Sequence, residues 1–202
     1  MTQQFDDFLA QIDSLPALVA AETAAMETRN RLALPTPEIY GIRQVVLCGS
    51  GDSFFAAQAA ALALRGWTGL PVMAATAMEA ARFLDHGRPP LAGRNRGLLL
   101  IAISSSGEPA RVVEAVRRAR HLGALTLGVT AHRESRLGRA AEFIADIAIP
   151  PSTNAPGTRS YVASVMGALL AGLRIAEVLM TVTMDEANAL RKELADMAPA
   201  LS

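Results

Sequence analysis

The sequence predicts an α/β protein: a three-layer, doubly wound sandwich on a five-stranded parallel sheet, entered through an N-terminal helical arm. Short apolar runs at 44–48, 71–75, 97–103, 124–130 and 143–149 have the length and composition of buried strands. Helical patterns fill the gaps at 52–65, 76–84 and 108–122, with a short one near 134–141. The connections are short. Strand–helix alternation with right-handed crossovers then leaves a parallel sheet covered on both faces.

The arm comes first. Phe5, Phe8, Leu9, Ile12, Leu15, Leu18 and Val19 recur at helical spacing within 4–30. Pro16 divides this stretch into two helices, with Ser14 or Asp13 placed to cap the second. Leu34-Pro35-Thr36-Pro37 ends the arm. After the fifth strand a long apolar helix is expected at about 160–182, and a last one at Asp185–Met197 with the mixed charge of a solvated face. The division is therefore an arm at 1–37, a main domain at 38–184, and a terminal helix or linker at 185–202.

Composition narrows the function. Of 202 residues 51% are hydrophobic, enough for a full core. Nineteen Lys and Arg balance nineteen Asp and Glu, which argues against a nucleic-acid or membrane surface as main partner. The acidic start MTQQFDDFLAQ does not read as a signal peptide, and the apolar runs are short for a membrane span. Cys48 is the only cysteine, so neither an intrachain disulfide nor a cysteine-based zinc site is expected. The expectation is a cytoplasmic domain without metal or cofactor.

In a doubly wound sheet, ligands bind where strand carboxyl ends meet helix N-termini. Three loops therefore matter: 49–53, 104–109 and 150–160. Gly49-Ser50-Gly51-Asp52-Ser53-Phe54 begins like a dinucleotide fingerprint, but Phe54 stands where the third glycine should be. No acid ends the second strand to grip a ribose. A phosphate-binding P-loop would need Gly-Lys-Ser/Thr, and a nucleophile elbow a different glycine spacing. What remains is a tight turn with Asp52 or Ser53 as helix cap. The second loop is richer. Ser104, Ser105, Ser106 and Gly107 lie between a buried strand and a helix beginning near Pro109. One serine suffices for a cap; three hydroxyls beside a helix N-terminus favour an anion such as phosphate.

The pair CGSGDS and ISSSGE, each closing a strand, resembles the sugar isomerase (SIS) domain family. The segments PGTRSYVAS and FLAQIDSLPALV extend the likeness, in particular to the first SIS domain of the isomerase half of glucosamine-6-phosphate synthase and to related phosphosugar isomerases. The resemblance implies a flavodoxin-like fold and a sugar-phosphate ligand. It implies Ser50 and Ser53 facing sugar and phosphate, Ser104, Ser105 and Ser106 holding the phosphate, and Thr158 and Arg159 where the family has threonine and lysine. It also implies at least a homodimer, for which the helix around Met166–Val182 and the arm offer apolar surface.

The departures bear on chemistry. Pro109 replaces a phosphate-binding threonine, and Lys192 is the only lysine, so a Schiff base to a ketose has no obvious amine. Aldose–ketose isomerisation needs a base and usually an imidazole to open the ring. MEAARFLDHGRPPL supplies Glu79 as candidate base and His86 as candidate for ring opening. The base is expected to have its pKa raised by partial burial. A solvated Glu79 and a loop His86 are the plainer alternative. Glu108 reads as charge complement for its own helix, while His121 and His132 read as structural, His132 remaining a distant candidate at a strand end. The function expected is a sugar-phosphate isomerase acting on a hexose or amino-sugar phosphate. The alternatives are a non-catalytic phosphosugar-binding module or the first half of a two-domain enzyme.

Overall fold

The computed structural model describes residues 2–84, 97–152 and 157–197. Five strands form one sheet: β1 (Gln44–Gly49), β2 (Val72–Thr76), β3 (Leu98–Ile103), β4 (Leu125–Thr130) and β5 (Phe143–Asp146). Their order is β2-β1-β3-β4-β5 and every neighbouring pair is parallel. Every residue of β3 and β4 is buried, as continuous apolar runs require of strands covered on both faces.

The helices are α1 (Thr2–Asp13), α2 (Leu15–Asn30), α3 (Thr36–Ile39), α4 (Asp52–Thr68), α5 (Ala77–Phe83), α6 (Ala110–His121), α7 (Arg136–Ala140), α8 (Thr158–Val178) and α9 (Met184–Asp196). Strand alternation sorts side chains into two cores. Val45, Leu47, Leu99 and Ile101 pack with α4 and α8. Val46, Cys48, Leu100 and Ala102 pack with α5, α6 and α7. The doubly wound α/β sandwich read from the sequence is thus the observed fold.

Local details differ from the sequence reading. Pro16 does divide the arm, but Ser14 does not cap α2 through its side chain; its hydroxyl donates to the Gln11 carbonyl instead. The Leu34–Pro37 segment that ends the arm carries the first two residues of the short α3. β5 ends at Asp146, short of the expected 149.

The long apolar helix also has a different role from the one expected. α8 is long and apolar enough to cross a membrane by length and composition, yet most of it is buried inside the molecule. It lies along α4 so closely that a Cβ on Gly172 would run into the Leu64 side chain. None of the residues from 158 to 179 is exposed. The apolar surface expected of this helix is therefore consumed within the subunit by ordinary core packing, while Phe5 and Leu9 of the arm and Met180 beyond the helix stay exposed.

The arm wraps the β5 edge of the sheet. Asn30 on α2 exchanges two hydrogen bonds of 2.7 Å with the Asp146 backbone, and Arg29 donates to the carbonyls of Asp146 and Ala148. An edge strand is thereby covered rather than left open to pairing. Glu27 of α2, Glu177 of α8 and Arg191 of α9 tie the three helices together, with Arg191 within 2.9 Å of both carboxylates.

Candidate functional site

The loops after β1, β3 and β4 open at one rim of the sheet and, with the start of α8, enclose a cleft of about 390 Å³. That volume suits a small ligand. Ser50, Asp52, Ser53, Ser104, Ser105, Ser106, Pro109, Val112, His132 and Ser160 line it. All five serines expected around the ligand are here together.

The serine loop is held rigidly from beneath. Ser104 N donates to the Val129 carbonyl, so the β3–β4 ladder runs into the loop. The Ser104 hydroxyl accepts from Gly107 N at 3.1 Å, which leaves its own hydrogen to donate. The Ser105 carbonyl accepts from Ala131 N and from the Thr130 hydroxyl. Leu137 N donates to the Gly107 carbonyl at 2.8 Å, so α7 is docked against the loop.

Five helices follow a strand, and their first turns fall into two groups. α5 and α7 are capped by the side chains of Thr76 and Ser135. α4, α6 and α8 follow Gly51, Pro109 and Gly157 and have no side-chain cap. Those three are the helices whose first turns border the cleft, through Asp52 and Ser53, Val112, and Ser160. An uncapped helix start presents unpaired N–H groups and the positive end of its dipole. Three of them converging, with serine hydroxyls between, make a surface whose donors all suit an anion.

The cap expected from Asp52 or Ser53 is accordingly absent. Gly51 precedes the helix with φ +57, a conformation that disfavours other residues, and Asp52 is the first helical residue. The close strand–helix approach sought at Phe54 occurs instead at Gly49, where a Cβ would lie 2.5 Å from the Ser53 carbonyl.

Comparison with known proteins decides the family. Residues 38–173 match the family model of the SIS domain. The chain belongs to the SIS domain family. A glutamine–fructose-6-phosphate aminotransferase (isomerizing) of Mycolicibacterium smegmatis is 30% identical over 194 residues, 94% of this chain but 30% of that protein. Among solved structures, the C-terminal domain of the Francisella tularensis glucosamine-fructose-6-phosphate aminotransferase superposes with TM-score 0.79 at 18% identity, covering 95% of this chain and 53% of that one. The Vibrio vulnificus NanR protein, complexed with ManNAc-6P, superposes with TM-score 0.64 at 20% identity, covering all of this chain and 73% of that one. At such identities the structural likeness is one of fold.

Other candidates in this SIS domain fall outside the cleft lining. Arg159 reaches the arm, donating to the Ser14 hydroxyl at 2.7 Å and to the Pro150 carbonyl. Thr158 opens α8 but does not line the cleft. Glu79 forms a capping box with Thr76: its carboxylate accepts from Thr76 N at 2.7 Å while Glu79 N donates to the Thr76 hydroxyl. The backbone hydrogen bond from Thr76, then the one with its hydroxyl, hold the Glu79 carboxyl below its ordinary range. This reverses the rise expected of a base. His86 lies outside the described residues. Glu108 complements a helix start, but that of α7: its carboxylate accepts from Arg136 N at 3.3 Å.

Asp52, read only as a cap, and Ser160 escape the sequence reading of the site, and His132 enters it only as a distant candidate. His132 stands on the β4 side, its backbone N–H held by the Thr130 hydroxyl and its carbonyl by Ser135 N. Ser160 is two positions beyond Thr158. Only the helical register, invisible in a segment this short, decides which of these faces the cleft.

Proposed function

We propose that this SIS domain binds a sugar phosphate in the serine cleft and acts in aldose–ketose isomerisation of a hexose or amino-sugar phosphate. The convergence of three uncapped helix starts on Ser104–Ser106 carries this reading. The phosphate takes the serine hydroxyls and the free N–H groups of α6, while Ser50 and Ser53 face the sugar. Two likenesses support that ligand class: the relatives are glutamine–fructose-6-phosphate aminotransferases, and one fold neighbour is complexed with ManNAc-6P. Schiff-base chemistry is disfavoured within the cleft, because the single lysine, Lys192, is on α9 and paired with Asp196.

A second reading is a phosphosugar-binding half of a longer enzyme. It is favoured by one observation: the chain spans 30% of the length of the aminotransferase it matches. We further propose that the domain works in the cytoplasm, and as at least a homodimer through the arm, where Phe5 and Leu9 are exposed. Sedimentation at micromolar concentration checks the assembly; a species of 21.3 kDa would refute it.

Calorimetric titration with fructose 6-phosphate tests the cleft. Ser104→Ala and Ser106→Ala should each cost about 1–3 kcal/mol of binding, since hydrogen bonds to a charged ligand are the stronger class. Unchanged affinity in both variants sinks the assignment.

A further inference from the structure

We propose that Asp52 and His132 are the proton-transferring pair of this cleft, a proposal that rests on the phosphosugar reading above. Apart from hydroxyls, they are the two side chains lining the cleft, among the described residues, that can accept or donate a proton. Both are exposed, and neither side chain has a hydrogen-bond or ion-pair partner among the described residues.

That freedom sets Asp52 apart from three other acids near the rim, and its place in the cleft lining sets it apart from Glu134, which is exposed but does not line the cleft. Glu79 is closed in its capping box. Glu108 is held by Arg136 N, and Asp146 by Arg133 and Ala148 N. The fold commits each of these carboxylates to its own backbone or to an ion pair. Asp52 is left over, inside the cleft.

The sheet order places the pair on opposite walls. β1 and β4 flank β3, so the strand ends that carry Asp52 and His132 are two strand spacings apart. That is roughly 10 Å. The serine loop, where the phosphate binds, follows the strand between them. An anionic Asp52 repels phosphate, which directs the phosphate to the α6 side and leaves the sugar carbons extending between the walls. A ring-sized ligand fits there with one side chain on either face.

The step is a proton shuttle. The Asp52 carboxylate takes a proton from C1 of the open ketose, and the C–H electron pair becomes the C1–C2 double bond. The C2 carbonyl oxygen takes a proton from the His132 imidazolium, giving the enediol. Asp52 then returns its proton to C2, while the C1 hydroxyl gives its proton back to His132 as the C1 carbonyl forms. No atom or electron is gained or lost, and no cofactor enters.

The test uses the full chain with fructose 6-phosphate and glucose 6-phosphate. Binding is followed by calorimetry, and deuterium uptake from solvent at C1 or C2 by NMR. Wild type should bind and exchange. Asp52→Asn and His132→Asn should each slow exchange at least about a hundredfold, the usual scale of general acid–base catalysis. Both should still bind, because the serines are untouched. Glu79→Gln keeps a side chain able to cap and should exchange as wild type does. Exchange within about tenfold of wild type in either Asp52→Asn or His132→Asn overturns the pair. Binding without exchange in wild type also overturns it, and leaves the phosphate cradle standing. Absence of binding overturns both.

Discussion

Ser135 occupies the space that a side chain on Gly107 would need. A Cβ built on Gly107 would lie 2.5 Å from the Ser135 Cβ and 2.9 Å from the Thr130 hydroxyl. Gly107 also has φ +68, in the left-handed region. Backbone strain and overpacking act together, so Gly107→Ala should cost about 3 kcal/mol or more in urea unfolding and weaken phosphate binding as well. Adding Ser135→Gly, a tolerable residue at a helix N-cap, should recover part of that loss. Equal stability of Gly107→Ala and wild type would refute the account.

The Glu177 carboxylate carries a pH signature. Burial pushes its pKa up, but the hydrogen bonds and charges of Arg191 and Arg31 outweigh that and bring it below the ordinary value. A group depressed in the folded state stabilises above its unfolded pKa and loses that contribution as pH falls through the folded one. Urea midpoints should therefore fall on acidification below about pH 4.3, the unfolded carboxyl value. Glu177→Gln should lose about 2–4 kcal/mol at pH 7, by leaving Arg191 half-paired in a mostly buried position. It should also show a flatter acid limb.

Cys48 has the opposite signature. Its complete burial between β2 and β3 pushes the thiol up to about 12. The neutral thiol then stabilises the fold fully below the unfolded thiol range, and the contribution is lost as pH climbs from there toward about 12. Between about pH 7.5 and pH 10 wild type should lose about 2 kcal/mol that Cys48→Ala does not lose, with an unfolded thiol near pKa 8.5. Thiol reagents should label the native protein only at the rate at which it unfolds.

The α4–α8 contact predicts a steric effect. Gly172→Ala improves helix propensity by about 1 kcal/mol but drives a methyl into Leu64, itself fully buried. Overpacking costs about 1–3 kcal/mol, so a net loss is expected. Gly172→Ala with Leu64→Ala should show non-additive thermal stability, because the second change opens the space the first one needs.

The fold is legible in the sequence because parallel strands buried on both faces have to be apolar throughout. LLLIAI and LTLGVT announce themselves without neighbours. The serine cluster is legible for a similar reason: three hydroxyls exceed what one turn uses. Glu79 and Arg159 mislead because a charge in a sequence does not disclose its partner. A capping box with Thr76 and a bond to the distant Ser14 exist only once the backbone is folded. His132 reads as structural for the converse reason. Nothing local to Thr130-Ala131-His132 shows that β4 lies beside β3 and brings this residue to the serine loop.

The cleft residues run from Ser50 to Ser160, and the strands that present them are not made in the order in which they pair. β2 is synthesised between β1 and β3 yet ends at the outer edge, so β1 must wait for a later segment to meet its inner neighbour. Long-range parallel pairing of this kind is slow and leaves apolar edges open meanwhile. On the ribosome, a ligand therefore has no complete cradle to rescue until the start of α8 has emerged. Before then α4 lacks the helix that covers it, and its apolar face stays open to contacts the finished fold excludes.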